Sequence, residues 1–187
     1  MDSSRFRTPM SYSRSWSPMR FLLAGCLSVL CLAAAAIFLS AEVRADQAAR
    51  VGASGMPLPR FVSLRAEEVN LRTGPGTRYP IDWIYRRRGM PVEVIDEFDI
   101  WRRVRDHEGT VGWIHRSMLT AKRTVLVTGE PRVLRRRPEA QSPGLASLEA
   151  GVIGRLEGCE RDWCRIEAQG FDGWLRRGEV FGIGPGD

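Results

Sequence analysis

Histidine is nearly missing from this chain of 187 residues: His107 and His115 are the only two. Lysine is scarcer still, with Lys122 alone, so almost every cation is an arginine. Cysteine occurs four times, at Cys26, Cys31, Cys159 and Cys164. No G-x-S-x-G, H-E-x-x-H or glycine-rich phosphate loop is present, so the sequence offers no nucleophile elbow, zinc-protease helix or nucleotide cradle. No histidine follows His115, so none stands near Cys159 and Cys164 in sequence to complete a Cys/His metal set or to activate a thiol. His107 lies in an expected turn and His115 on an expected strand, where each reads as a surface or hydrogen-bonded residue and not as a general base. Two acidic clusters, Asp96-Glu97-Asp99 and Glu160-Asp162, fall at hairpin tips, where carboxylates are ordinary turn formers. No catalytic residue, metal site or cofactor is expected, and the chain reads as a non-enzyme.

What is present starts with one long hydrophobic run, Phe21 to Ala41. A polar, Ser- and Arg-rich stretch precedes it, and Val43-Arg44-Ala45 follows with the small or branched residues of a signal-peptidase site. Residues 1–45 are therefore expected to be a secretory signal, with retention as a membrane anchor the alternative, since about 20 apolar residues span a bilayer. Translation from Met19 would give a leader of ordinary length. Leu23-Ala24-Gly25-Cys26 spells a lipoprotein box, but its cysteine sits near the start of the apolar core instead of after it. Export places the protein in the periplasm or another extracytoplasmic space, where disulfides persist; it touches the membrane only through this segment, if uncleaved. The formal charge is +6. Arg5, Arg7, Arg14, Arg20 and Arg44 against Asp2 and Glu42 put +3 of it in residues 1–45. The remainder is too small for a polyanion binder, so nucleic acid is not an expected partner.

Residues 46–60, including VGASGMPLP, read as a flexible linker. Beyond it the chain repeats itself at a spacing of about 62 residues. Trp101 pairs with Trp163, Gly112-Trp113 with Gly173-Trp174, Gly89 with Gly151, and Leu71-Arg72 with Leu134-Arg135. In the first copy Val69 to Arg72 and Pro91 to Ile95 alternate with the period of half-buried strands, and Trp101 to Arg105 and Val111 to His115 flank the turn His107-Glu108-Gly109 as a hairpin; Gly151 to Ile153, Trp163 to Glu167 and Phe171 to Arg176 repeat this in the second. Thr124 to Val127 adds a strand between them. About five short strands in about 60 residues suit a small closed barrel, which hides its edges. The run Val69-Asn70-Leu71-Arg72-Thr73-Gly74-Pro75-Gly76-Thr77, followed by Gly89, Trp101 and Gly112-Trp113-Ile114, resembles the signature of bacterial SH3 domains. The second copy, with Cys159, Trp163-Cys164 and Gly173-Trp174-Leu175, is similar to a cysteine-paired variant, although Arg135-Arg136-Arg137-Pro138 replaces its glycine-rich turn. That replacement puts a ligand surface on the second turn in question. The expected fold is all-β: a signal or transmembrane helix, then two tandem SH3-like barrels at 61–122 and 123–187.

Cys159 and Cys164 flank a hairpin tip, where cross-strand partners come within disulfide range, so a structural disulfide is expected over a reactive or metal-binding pair. Counting from the paired tryptophans places Glu97 and Arg102 at the same two positions of the first copy. They are expected to form an exposed ion pair worth about 0.2–1 kcal/mol, less than the disulfide contributes. Tyr79, Trp83, Tyr85, Trp101 and Trp113 crowd the first copy. A barrel of this size cannot bury five large rings, so one or two should reach the surface beside Arg72 and Arg78 and suit sugar rings or peptide. Arg86-Arg87-Arg88 reads as a solvated loop able to attract anionic glycan or lipid. The resemblance implies a binding module for peptidoglycan or an envelope protein. The alternatives are a tethered scaffold meeting anionic lipid or glycan and, further off, a hydrolase accessory or an enzyme.

Overall fold

The computed structural model describes residues 50–187; the apolar run Phe21–Ala41 and the signal-site residues lie outside them. Among the described residues no helix is long and apolar enough to cross a membrane. The chain runs through β1 (Arg50–Val51), β2 (Pro57–Leu58), β3 (Arg60–Leu64), β4 (Val69–Arg72), β5 (Ile81–Tyr85), β6 (Pro91–Phe98), β7 (Trp101–Arg105), β8 (Val111–His115) and β9 (Leu119–Thr120). The second copy follows with β10 (Thr124–Val127), β11 (Arg132–Arg135), β12 (Gly144–Leu148), β13 (Ile153–Glu160), β14 (Trp163–Ala168), β15 (Phe171–Arg176) and β16 (Val180–Phe181). Two seven-stranded antiparallel sheets result, ordered β5-β4-β8-β7-β6-β3-β9 and β12-β11-β15-β14-β13-β10-β16. The orders match strand for strand, so the repeat is one of topology as well as of sequence.

Alternation chooses the two cores. Val69, Leu71, Val92, Val94, Val104 and Ile114 point into the first, and Leu134, Leu148, Ile166 and Leu175 into the second, all fully buried. Burial of one such side chain is worth about 1.5–3 kcal/mol. Gly89 and Gly151 hold matching positions at φ 79° and 85°, in the left-handed region where a side chain would be strained. Across β6–β7 Glu93 pairs with Arg105, and across β13–β14 Arg155 pairs with Glu167. The same cross-strand ion pair thus occurs in both copies with its charges exchanged. Both barrels belong to one compact unit. Ser63 Oγ lies 2.6 Å from Thr124 Oγ1, and Arg87 donates to the Gly151 carbonyl at 2.5 Å, so side chains join the two copies directly.

The segment expected to be a linker is structured in its described part. β1 and β2 form a two-stranded ribbon, and Leu58 is buried in the first core. The ribbon is anchored from outside its own sequence. Ser54 donates through its backbone N–H at 2.7 Å and its hydroxyl at 2.8 Å to the Glu97 carboxylate. A linker reading from small residues misses this, because the acceptor lies far along the chain.

The two hairpin tips agree with the aligned repeat: Glu97 faces Arg102 and Cys159 faces Cys164 as direct partners. The cysteines form the expected disulfide, with their Cα atoms 4.0 Å apart. The ion pair departs from expectation in its surroundings. The Glu97 side chain is 1% exposed and receives Arg60 at 2.6 Å and Arg102 at 3.2 Å, besides Ser54. Burial alone would raise its pKa. The hydrogen bonds from Ser54 and Arg60 and the charge of Arg102 outweigh that and take it from an ordinary 4.5 down to about 2. Glu97 is a buried hub and not half of an exposed pair.

Candidate ligand surface of the first barrel

The β4–β5 hairpin carries most of the residues singled out from sequence. Its long turn, residues 73–80, is tied by Thr73 N–H to Pro80 O at 3.1 Å and Tyr79 N–H to Gly76 O at 3.2 Å. Arg72 reaches into the turn and donates to the Tyr79 carbonyl at 2.8 Å, so its guanidinium organises backbone instead of waiting for ligand. The Tyr79 ring lies on Gly74, where an added Cβ would sit 2.4 Å from a ring carbon. Arg78 stacks over the same ring, 5.2 Å from its centroid. Tyr79 is half-buried by these contacts and Arg78 is exposed.

The five aromatic side chains divide. Trp83 is 55% exposed on β5, with Ile81 and Ile84 also at the surface. Tyr85, two residues on, is buried at 4% exposure, and its hydroxyl donates to Asp106 at 2.9 Å. Burial, then this bond to a carboxylate, raises the Tyr85 pKa and keeps the hydroxyl protonated. Trp101 is also buried, with His115 edge-on at 5.4 Å. Trp113 is half-buried, opposite Arg72 on one side and Arg103 on the other. Tyr85 and Trp101 are thus core residues, and their place among candidate ligand contacts is corrected. Ile81 and Ile84 were missed: Ile81-Asp82-Trp83-Ile84-Tyr85 lacks period-2 alternation, so no strand is read there from sequence. The signal available was the run of large apolar residues itself. β5 ends the order of its sheet, and such an edge is usually blunted in a soluble protein. His107 is exposed in the β7–β8 turn, and His115 Nδ1 lies 2.6 Å from Ser117 Oγ.

The second barrel serves as an internal control. Its turn 136–143 keeps the bonds that shape the first: Arg136 N–H to Pro143 O at 3.0 Å, Ser142 N–H to Glu139 O at 3.1 Å, and Arg135 to Ser142 O at 2.9 Å. Loss of the glycines leaves the turn intact, because neither Gly74 nor Gly76 has a positive φ. Gly74 makes room for a ring, and where that ring is replaced by Ser142 the glycine becomes Arg137 without cost. What changes is the side-chain surface. Tyr79, Arg78, Ile81, Trp83 and Ile84 have as counterparts Ser142, Gln141, Gly144, Ala146 and Ser147. Arg72, Trp101 and Trp113 are kept as Arg135, Trp163 and Trp174. Residues kept in both copies serve the fold they share, and the exposed set found in one copy alone is the candidate ligand surface.

The buried pair Tyr85–Asp106 becomes Leu148 and Ala168 in the second barrel, both buried. A polar pair has been exchanged for an apolar one as a unit. Tyr85→Phe should therefore destabilise the protein by on the order of 1 kcal/mol, leaving an Asp106 oxygen without its donor. The double variant Tyr85→Leu/Asp106→Ala should cost clearly less than the sum of its single variants. Denaturant unfolding of the four proteins measures this coupling, and strict additivity would refute it.

The model of the bacterial SH3 domain matches residues 65–120 and 128–182, one match on each barrel. No curated protein matches the chain. Among solved structures, NlpC2 from Trichomonas vaginalis is similar at 12% identity and a TM-score of 0.31, covering 66% of this chain and 48% of that one. An NlpC/P60 family protein from Bacillus cereus is similar at 16% identity and a TM-score of 0.30, with 65% and 55% covered. This chain thus spans about half the length of those structures. The assignment rests on the family match, which falls on both copies with their tryptophans, glycines and strand order: the chain belongs to the bacterial SH3 domain family.

Proposed function

We propose that this protein is an exported, non-catalytic binding module of the cell envelope whose first barrel recognises peptidoglycan or an envelope protein through Trp83, Tyr79 and Arg78. The observation that supports this is the asymmetry of the copies: an exposed tryptophan on an edge strand, flanked by two exposed isoleucines and an arginine-stacked tyrosine, with small or polar residues at every counterpart. An indole face stacks on sugar rings or on peptide, and the free strand edge offers main-chain hydrogen bonds to an extended segment. Bacterial SH3 domains are commonly modules that bind the cell wall, which agrees with this reading. The scaffold alternative rests on Arg86-Arg87-Arg88, of which Arg87 is already engaged with the second barrel. Export, with a mature N-terminus at or near Asp46, belongs to the same proposal.

Co-sedimentation with purified peptidoglycan, run beside anionic vesicles, is the test. The protein should pellet with peptidoglycan, and Trp83→Ala should weaken binding about tenfold, the loss of one stacking contact worth about 1.4 kcal/mol. Ala146→Ser in the second barrel should change nothing. Equal retention of Trp83→Ala, or capture by vesicles alone, would overturn the reading.

A further inference from the structure

A groove lies on the first barrel, away from the β4–β5 hairpin, and its counterpart on the second barrel is filled by the chain itself. Strand register makes Arg60 the counterpart of Arg123: Phe61 faces Glu93 as Thr124 faces Arg155, and those two residues hold the same place opposite Arg105 and Glu167. Arg116 is likewise the counterpart of Arg177. Each opens a short 3-10 turn, and each donates its N–H to the residue before the shared tryptophan, Ile100 O in one copy and Asp162 O in the other.

In the second barrel these two arginines clasp the chain's own residues 182–187. Arg123 grips the Asp187 carboxylate with two bonds of 2.6 Å and the Gly182 carbonyl with one of 2.8 Å. Arg177 donates to the main-chain carbonyls of Gly184, at 3.3 Å, and of Asp187. Gly182 runs so close to β10 that a Cβ would meet the Thr124 carbonyl at 2.6 Å, and Ile183 packs on the second core. A glycine-rich segment that turns at residues 184–187, with Asp187 N–H donating to the Gly184 carbonyl at 3.3 Å, thus fills this place and carries one apolar and one acidic side chain.

In the first barrel the counterpart place is a groove of about 530 Å3. The segment after β9 turns away into β10, and the Lys122 carbonyl accepts from Ser63 Oγ at 2.6 Å. Arg60, Arg65, Arg102, Arg116 and Arg123 line the groove, with Val62, Val94 and Leu119 supplying apolar wall. Arg60 and Arg102 share one carboxylate, Glu97, and Arg123 is matched by Asp187. Arg65 and Arg116 are exposed and have no acidic partner among the described residues. The groove therefore carries an excess of positive charge over an apolar wall.

We propose that this groove binds a glycine-rich peptide segment of a partner protein, turned as residues 184–187 are and bearing an aspartate or glutamate whose carboxylate meets Arg116. Its backbone meets Arg116 as Gly184 meets Arg177, and its carboxylate also falls to Arg116, because Arg60, the counterpart of the carboxylate-gripping Arg123, is already taken by Glu97. An arginine that donates to a main-chain carbonyl and a carboxylate together, as Arg123 does, selects peptide over a lone anion. The basic residues 1–45 are of the wrong charge to be the occupant.

The test uses a labelled peptide of sequence Gly-Ile-Gly-Pro-Gly-Asp, blocked at both ends so that its aspartate side chain is the only carboxylate, titrated into the full chain in detergent and followed by fluorescence anisotropy. Binding should weaken about tenfold when the peptide aspartate is replaced by asparagine, and about fivefold in Arg116→Gln. Arg177→Gln, on the occupied groove, should leave it unchanged. Equal binding of the two peptides, a loss in Arg177→Gln in place of Arg116→Gln, or displacement by inorganic phosphate at equal concentration would each overturn the proposal. Because the two peptides are compared on the unaltered protein, the result does not depend on a variant folding. It is also independent of Trp83 and of peptidoglycan.

Discussion

Glu97→Ala is expected to destabilise the protein by about 3–5 kcal/mol, more than loss of the disulfide or of the Tyr85–Asp106 hydrogen bond. The substitution removes the carboxylate shared by Arg60 and Arg102, leaving two guanidinium groups in one confined place. It also strips the acceptor from Ser54, so the β1–β2 ribbon loses its anchor. A drop in Tm of about 10 °C or more follows from a loss of this size. Amide exchange should quicken around Ser54 and Leu58 before it does in β7 or β8. The same carboxylate sets an acid limit. Its folded pKa of about 2 lies below its ordinary 4.5, so its stabilisation is fully present above about pH 4.5 and is lost as pH falls toward 2. Over that window the native protein should lose about 3 kcal/mol that Glu97→Gln does not lose. Urea midpoints measured at several pH values would show it, and parallel pH profiles for the two proteins would refute it. Replacing Glu97 and Arg102 together with cysteine is compatible with the hairpin register, but such a variant would still forfeit the ribbon and leave Arg60 unpaired.

Removing the disulfide is expected to cost less. Cys159→Ala/Cys164→Ala opens a loop of only six residues, and loop-closure entropy assigns that about 2 kcal/mol. Cys164 is fully buried and Cys159 packs against the second core, so the sulfurs also contribute apolar contact that alanine does not restore. The hairpin tip does not need the bond to find its shape. Arg161 and Asp99 occupy the same tip position with φ of 52° and 49°, one clipped by sulfur and the other not. Reductant alone should therefore lower the urea midpoint without changing the slope. An unchanged midpoint, or a loss larger than that of Glu97→Ala, would overturn this ranking. The ranking reverses the expectation from sequence, where the covalent clip outweighs an exposed ion pair; the burial of Glu97 is what reverses it.

Much of the fold is legible in the residues alone because its causes are local or pairwise. Alternation along Val69–Arg72 and Pro91–Ile95 chooses a core face without knowledge of any partner, and the burial of Val69, Leu71, Val92 and Val94 follows it. Repetition then supplies register: once Trp101 is set against Trp163, Glu97 falls opposite Arg102 because Cys159 falls opposite Cys164. The candidate site is only partly legible. Trp83 and Tyr85 share one face of β5 by alternation, yet one lies in solvent and the other in the core, because only Tyr85 sits over Asp106 and the barrel interior. The turn 136–143 reads as a departure from 73–80, but its backbone is the same, since what the glycines of the first turn supply is space for the Tyr79 ring.

What the residues by themselves determined is that two similar β-barrels follow one another, with a disulfide in the second and aromatic excess in the first. Those properties depend on period, spacing and residue type. Only the tertiary structure decided that Ser54, Arg60 and Arg102 converge on one buried carboxylate, that residues 50–58 join the first barrel, and that residues 182–187 fill in one copy a groove left open in the other. Each of these joins groups distant in the chain, and their free energy comes from charges and hydrogen-bonding groups removed from water together. No single segment carries a sign of that, because burial is a property of what folds over it.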